Sequence, residues 1–170
     1  MVVMYKDNLI TKAEMDQLKQ YWAHRLRIGK HRRQRLMFDD NPEFILGFQK
    51  RMVDWCDAVF GVPFLVHTER AWSYDQLAYF EKHDDCNFPN RVWTAVTLVN
   101  ASEDLAGGEL VVYDEQDRLH DTKLQVGETV FFPSHMKHEV LTVTNGHRET
   151  YGICLGYADY SGPDMKTKLK

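Results

Sequence analysis

His83, Asp84 and Asp85 set an imidazole and a carboxylate two positions apart, and His138 supplies a second imidazole much further along the chain. Two histidines and one carboxylate can occupy one face of a six-coordinate iron and leave the other face open for a co-substrate and oxygen. The same donors suit a zinc ion with one open position, so by themselves they permit either metal. No His-Glu-x-x-His motif is present, which removes one class of zinc hydrolase. In a chain with eight histidines a His-x-Asp pair alone carries little weight, and its meaning depends on its company. His135 competes locally with His138. It falls in the loop Pro133-Ser134-His135-Met136-Lys137, whereas His138 enters the β-like run that follows, and this favours His138.

Arg148 follows His138 by ten residues, just past Asn145-Gly146. A two-residue hairpin at Asn-Gly would turn Arg148 away from His138. A three-residue loop, Asn145-Gly146-His147, would put Thr144 opposite Arg148 and His138 opposite Cys154. His138, Arg148, Thr150, Gly152 and Cys154 would then share one face. Such loops use a left-handed residue, for which Gly146 is suited. On that face Arg148 can grip a carboxylate with two parallel N–H donors, and Thr150 can add a hydroxyl. A surface arginine with a cross-strand partner is the plain alternative. The position of Arg148 relative to His138 favours the clamp.

Two helices precede the strands that carry these residues. Thr11 and Glu14 form a capping box, Ile10 and Met15 are spaced as a hydrophobic staple, and Met15, Leu18, Trp22 and Leu26 recur at helical spacing. The second helix starts at Asn41-Pro42-Glu43, with Asn41 as cap and Pro42 at its first position. Its apolar stripe is Ile45, Phe48, Met52, Trp55 and Val59, and Gly61 ends it, with Pro63 beyond. Strands are expected over 64–74, 77–83, 93–100, 109–113, 123–126, 128–133, 139–144 and 148–157, short runs rich in Val, Thr and aromatics between turn residues. Two helices followed by about eight strands give a mainly β fold with N-terminal helices, a double-sheet jelly roll of cupin-like form. One domain over residues 1–170 is expected, with helical support about 8–61 and a β core about 64–158.

The 170 residues suffice for one core, and 44% are hydrophobic, so no disulfide or metal staple is needed. The formal charge of −4 names no partner. Three cysteines without paired spacing, Cys56, Cys86 and Cys154, point to a reducing compartment. The start of the chain lacks a signal-peptide pattern, and no apolar run reaches the length of a membrane span, so a soluble intracellular (cytoplasmic) protein is expected. Cys86, beside the ligand pair, reads as an inert thiol. The basic stretch Arg25, Arg27, Lys30, Arg32, Arg33, Arg35 could dock an acidic peptide or phosphate, but reads more simply as a solvated helix end and loop balanced by Asp39-Asp40.

From Tyr74 to Tyr157 the chain resembles the 2-oxoglutarate- and Fe(II)-dependent oxygenases of the prolyl 4-hydroxylase-like group. The pieces run in order: Tyr74; His83-Asp84-Asp85; Arg91-Val92-Trp93-Thr94-Ala95-Val96-Thr97-Leu98-Val99-Asn100; Gly107-Gly108-Glu109-Leu110; Val126-Gly127-Glu128-Thr129-Val130-Phe131-Phe132-Pro133; His138-Glu139-Val140; and Gly146-His147-Arg148. The resemblance implies a double-stranded β-helix with Fe(II) on His83, Asp85 and His138. It implies 2-oxoglutarate held by Arg148, Thr150 and Tyr74, with Leu98 lining that pocket, and Arg91, Tyr79 and Trp93 on the substrate side. O2 would be the oxidant and ascorbate a supporting reductant. The implied reaction hydroxylates a C–H bond of peptidyl proline or another amino-acid side chain, in a peptide, protein or small amino-acid substrate, with release of succinate and CO2. The chain departs from the family pattern in having Cys154 where many relatives carry tryptophan, and Arg148 where many collagen-type members use lysine. Nucleic-acid demethylase relatives place a second arginine at the position of Cys154, so a nucleic-acid substrate is disfavoured. Asp85 excludes the halogenase pattern, which leaves that position empty. A zinc-dependent hydrolase and a non-catalytic cupin-like binding protein are the alternatives from other classes.

Overall fold

The computed structural model describes residues 4–23, 27–30, 33–36 and 42–160. In chain order the elements are β1 (Tyr5–Asp7), α1 (Lys12–Ala23), β2 (Arg27–Lys30), β3 (Arg33–Leu36), α2 (Glu43–Phe60), β4 (Phe64–Tyr74), β5 (Phe80–His83) and β6 (Trp93–Ala101). They continue with β7 (Ala106–Gly107), β8 (Leu110–Tyr113), β9 (Leu119–Asp121), β10 (Thr129–Pro133), β11 (His138–Val140), β12 (Val143–Asn145) and β13 (Arg148–Tyr157). A seven-stranded sheet has the order β1-β10-β6-β13-β4-β3-β2. A four-stranded sheet, β5-β11-β8-β9, and the pair β12-β7 complete the fold. This is the expected mainly β jelly roll, a double-stranded β-helix buttressed by two helices.

Period-two alternation divides the large sheet into two faces. Phe131, Ala95, Tyr151 and Ile153 enter one core with Leu18, Trp22, Ile45, Phe48, Met52 and Cys56 of the helices. Val130, Phe132 and Tyr74 enter a second core with Leu110, Val112, Val140 and Val143. Full burial of each large apolar side chain contributes about 1.5–3 kcal/mol. A buried polar knot also ties α2 to the sheet. Gln49 Nε2 donates to Glu69 Oε2 at 2.5 Å and to Tyr151 Oη at 2.7 Å, and Tyr151 Oη donates to Glu69 at 2.8 Å.

The capping box forms as expected. The Glu14 amide donates to Thr11 Oγ1 at 3.2 Å, and the Thr11 amide donates back to Glu14 Oε2 at 2.9 Å. Arg51 of α2 then grips the same carboxylate at 2.6 and 2.5 Å, fastening one helix to the other. Pro42 occupies the N-cap position of α2 with extended backbone, one residue later than anticipated, and Gly61 closes the helix in the left-handed region. The buried stripe runs Ile45, Phe48, Gln49, Met52, Cys56; Val59 is exposed, because the helix rotates Cys56 into the core. Leu26, Asn41, Arg25, Arg32, Asp39 and Asp40 lie outside the described residues.

Four strand expectations change. The run 77–83 starts only at Phe80, because residues 75–78 form a turn in which Leu77 takes φ 68. The run 123–126 is a loop: Lys123 takes φ 48 and its amide donates to Asp121 Oδ1 at 2.8 Å. The strand of that region is β9, which pairs with β8. The run 139–144 breaks at Leu141-Thr142, sending β11 to the four-stranded sheet and β12 to β7. Part of the basic stretch is a hairpin, β2–β3, added to the edge of the large sheet beside β4, rather than a solvated helix end.

Candidate active site

His83 ends β5 and faces His138 across the β5–β11 pairing. Nδ1 of each ring lies against a carbonyl two residues back, Glu81 O at 2.7 Å for His83 and Met136 O at 3.0 Å for His138. A carbonyl only accepts, so each Nδ1 carries the proton and each Nε2 keeps its lone pair. Burial first, and the neighbouring His83 next, push the His138 imidazole down to about 4, so it stands neutral near pH 7.

Asp85 lies two residues past the end of β5. Its amide donates to Ser134 O at 2.9 Å, and Asp84 Oδ1 accepts the Cys86 amide at 3.0 Å, which curls the chain and turns the Asp85 carboxylate inward. Oδ2 accepts from Thr94 Oγ1 at 2.9 Å and lies 3.6 Å from His138 Nε2. One donor atom from each of His83, Asp85 and His138 falls within 4.8 Å of the other two. Two imidazoles and one carboxylate, oriented by hydrogen bonds from behind, fit a divalent transition metal. His135 is exposed in the turn before β11, away from this cluster.

Arg148 begins β13 in the large sheet, not opposite β11. Its register partners are Tyr74 and Ala101. The expected hairpin, with Thr144 facing Arg148 and His138 facing Cys154, therefore does not form. Residues 145–147 instead carry the chain from one sheet to the other. Gly146 does take the left-handed conformation, φ 72, and a Cβ there would strike Ser102 Oγ at 2.3 Å. His138 and Arg148 still line one cavity, because the two sheets face each other across it. Along β13, Arg148, Thr150, Gly152 and Cys154 all reach that cavity, as strand alternation requires.

The Arg148 guanidinium is 3% exposed. Nη1 donates to the carbonyl of Gly108, whose own backbone is positioned by φ 74. Nε and Nη2 are buried without a partner. Arginine stays charged, so a buried guanidinium with two free nitrogens calls for an anion. Tyr74 lies beside it, ring centroid 5.7 Å from Cζ, and burial pushes the Tyr74 hydroxyl up to about 12. The cavity thus holds an orphaned cation, Arg148, and the His-Asp-His cluster, an arrangement with room for an anion between them.

The other anticipated residues divide. Thr150 and Tyr74 line the cavity. Leu98 is buried opposite Thr150 in register but does not line it. Arg91 is buried with its guanidinium 4.0 Å from the Phe88 ring centroid, behind the cavity wall. Tyr79 is half-buried outside it. Trp93 turns to the helical face and stacks on Phe60 at 4.4 Å, so the structure does not bring it to the site. Sequence reasoning missed Thr94, which holds Asp85, and Arg70, whose Nη1 lies 3.6 Å from Asp85 Oδ1. The signal for Arg70 was available: Thr68, Arg70, Trp72 and Tyr74 alternate along β4, and all four line the cavity.

Arg33 of the basic stretch stacks over Phe80 at 3.4 Å and Trp72 at 4.4 Å, and Phe80 in turn stacks on His83 at 4.1 Å. Cys86 is exposed, while Cys56 and Cys154 are buried. Among the described residues, no helix is long and apolar enough to cross a membrane.

Comparison with known proteins agrees with this geometry. A PKHD-type hydroxylase of Psychrobacter sp. (strain PRwf-1) is 41% identical over 69 residues, 40% of this chain and 26% of that protein, so the chain spans about a quarter of the length of that curated relative. An oxidoreductase of the 2OG-Fe(II) oxygenase family from Burkholderia pseudomallei superposes with a TM-score of 0.75 at 17% identity, covering 90% of this chain and 84% of that one. A Pseudomonas putida prolyl-4-hydroxylase superposes with a TM-score of 0.70 at 17% identity, covering 92% and 94%. The sequence pattern of the 2OG-Fe(II) oxygenase superfamily matches residues 70–153, a segment that contains His83, Asp85, His138, Arg148, Thr150 and Tyr74. The chain therefore belongs to the 2OG-Fe(II) oxygenase superfamily.

Proposed function

We propose that this protein is an Fe(II)- and 2-oxoglutarate-dependent dioxygenase that hydroxylates a C–H bond of peptidyl proline or another amino-acid side chain. His83, Asp85 and His138 would hold the iron. Arg148, with Thr150 and Tyr74, would hold the far carboxylate of 2-oxoglutarate. The observation that carries the reading is the buried Arg148 guanidinium, with two nitrogens unpaired, in the same cavity as the His-Asp-His cluster. The superfamily match favours the oxygenase over a zinc hydrolase or a passive binding module.

Bound iron, 2-oxoglutarate and O2 supply the oxidising chemistry, one oxygen atom ending in succinate and one in the hydroxylated product as CO2 leaves. The chain's own work is positional. Thr94 and the Ser134 carbonyl fix Asp85, and the Glu81 and Met136 carbonyls fix the imidazole tautomers. Gly108 fixes Arg148. Val96, Leu110 and Val140 keep the cavity wall apolar, which strengthens the Arg148–carboxylate attraction by excluding water. Hydroxylation is supported by the name of the Psychrobacter relative, and a prolyl side chain by that of the Pseudomonas structure.

The test is succinate formation by the iron-loaded protein with 2-oxoglutarate and O2, with ascorbate to sustain turnover, across proline-containing peptides and free amino acids. Substrate-stimulated succinate with a product heavier by one oxygen supports the reading. Hydrolysis that needs neither 2-oxoglutarate nor O2 would overturn it.

A further inference from the structure

A second cationic centre lies at the end of the cavity opposite Arg148. Arg70 projects from β4 into the cavity, and its ion pair is a long one, 3.6 Å to Asp85 Oδ1. Arg91 sits just behind, close enough to feel Arg70, Asp85, Cys86 and Cys154. Its side chain is 5% exposed overall, and its Nε and Nη1 are buried with no hydrogen-bond partner. Arg33, in register with Tyr74, also repels Arg70 but has Glu81 near it as a balancing carboxylate.

The anions that could balance this group are already engaged. Glu69, next to Arg70 in sequence, points to the helical face and is held by Gln49 and Tyr151. Glu139 lines the cavity but accepts the Tyr113 hydroxyl. Among the described residues Asp85 is the carboxylate that pairs with Arg70, and it also belongs to the cluster that would bind a divalent cation. A metal at that cluster would draw on the charge of Asp85 and weaken its pairing with Arg70. Arginine cannot relieve this by losing a proton: Arg91 is buried with unpaired nitrogens, and Arg70, its side chain 31% exposed, faces the cavity where an incoming anion can reach it.

We infer that Arg70, backed by Arg91, binds a carboxylate of the substrate. This rests on the proposed function above and narrows it. The substrate is an amino acid presented with its own carboxylate, either free or as the last residue of a peptide, and not an internal residue of a chain. Arg70 and Asp85 are in contact, so a carboxylate seated on Arg70 keeps its attached side chain within a few ångströms of the metal position. Internal residues carry an uncharged amide there and give the Arg70 guanidinium no anion to share with Asp85.

Binding can be read without turnover. The protein is loaded with Mn(II) in place of iron and saturated with 2-oxoglutarate, and probe affinity is measured from the relaxation Mn(II) imposes on probe protons in NMR spectra. The probes are the free amino acid, the N-acetyl amino acid and the N-acetyl carboxamide of proline, leucine, lysine and asparagine. Carboxylate probes of at least one side chain are expected to bind at least about tenfold tighter than the matching carboxamide, the scale of a charge-assisted hydrogen bond. Arg70→Gln is expected to remove that preference while Mn(II) and 2-oxoglutarate still bind; Arg70→Lys, which keeps the charge but not the fork, retains part of it. Tighter binding of the free amino acid identifies a single-residue substrate, and equal or tighter binding of the N-acetyl form identifies a peptide C-terminus. Equal affinity for acid and carboxamide overturns the proposal. So does a preference that survives in Arg70→Gln, or the absence of binding by every probe. Failure of the wild-type protein to bind Mn(II) or 2-oxoglutarate overturns instead the function on which it rests.

Discussion

His138 and Arg148, ten residues apart, stand in different sheets and face the same cavity. His138 pairs with His83 and Val112, and Arg148 pairs with Tyr74 and Ala101. The link is residues 145–147, clamped by hydrogen bonds between His147 and Ser102 and between Asn145 and Asp104. The His-Asp-His cluster and Arg148 are thus brought together by sheet-on-sheet packing, not by a local turn.

The donor cluster makes the first prediction. Asp85→Ala and His138→Ala are each expected to lose stoichiometric Mn(II) or Fe(II) binding and substrate-coupled succinate formation. Metal content after dialysis, measured beside a circular dichroism spectrum, separates loss of the metal from loss of the fold.

Arg148→Ala is expected to weaken 2-oxoglutarate by roughly a hundredfold, since truncating one member of a buried charge pair costs about 2–5 kcal/mol. Titration of the Mn(II) protein with 2-oxoglutarate measures this directly. An unchanged dissociation constant would remove Arg148 from the co-substrate site.

Gly108→Ala tests the same clamp from behind. A Cβ there would sit 2.8 Å from Val143 Cγ2 and 3.2 Å from Arg148 Cδ, in a backbone conformation with φ 74 that alanine resists. The guanidinium must shift, and the KM for 2-oxoglutarate is expected to rise by on the order of tenfold to a hundredfold.

Thr11→Ala removes the reciprocal cap of α1 and is expected to cost about 1 kcal/mol, a fall in Tm of roughly 2–4 °C by calorimetry. Catalytic constants should not follow, because α1 packs on the face of the large sheet opposite the cavity.

Glu14 predicts an acid-sensitive share of stability. Its burial alone would raise its pKa, but hydrogen bonds from Arg51 and Thr11 outweigh that and leave it below the ordinary 4.5. A carboxyl depressed in the folded state stabilises fully above its unfolded value, and that stabilisation is lost as pH falls through 4.5 toward the folded value. Glu14→Gln is therefore expected to lower denaturation midpoints at pH 7 while its loss of stability between about pH 5 and pH 3 is shallower than in wild type.

Much of this site could be read from the residues, and the failures have separate causes. β4 and β13 were legible end to end because they are long and alternate cleanly. The hairpin β2–β3 was not, because Arg27, Lys30, Arg33 and Arg35 give an edge strand the composition of a solvated loop. Trp93 was drawn toward the substrate by its type, whereas the alternation of Thr94 and Val96 into the cavity already placed it on the helical face. The pairing of Arg148 failed for a deeper reason: proximity in sequence suggests a hairpin, and which sheet a strand joins is decided by partners far away, here Tyr74 and Ala101.

β13 has a consequence beyond holding Arg148. It lies between β4 and β6, with Arg148 at one end and Cys154 near the other, both reaching the cavity. Six residues of extended strand span roughly 20 Å. Under the proposed function the strand would be a yardstick, fixing how far apart a co-substrate and a substrate are gripped however the surrounding loops vary. Evolution can re-tool the Cys154 end, by exchanging Thr68, Arg70 or Cys154 itself, without recalibrating the end that feeds the reaction. New specificities would then arise here as interchangeable fittings on one rigid bar.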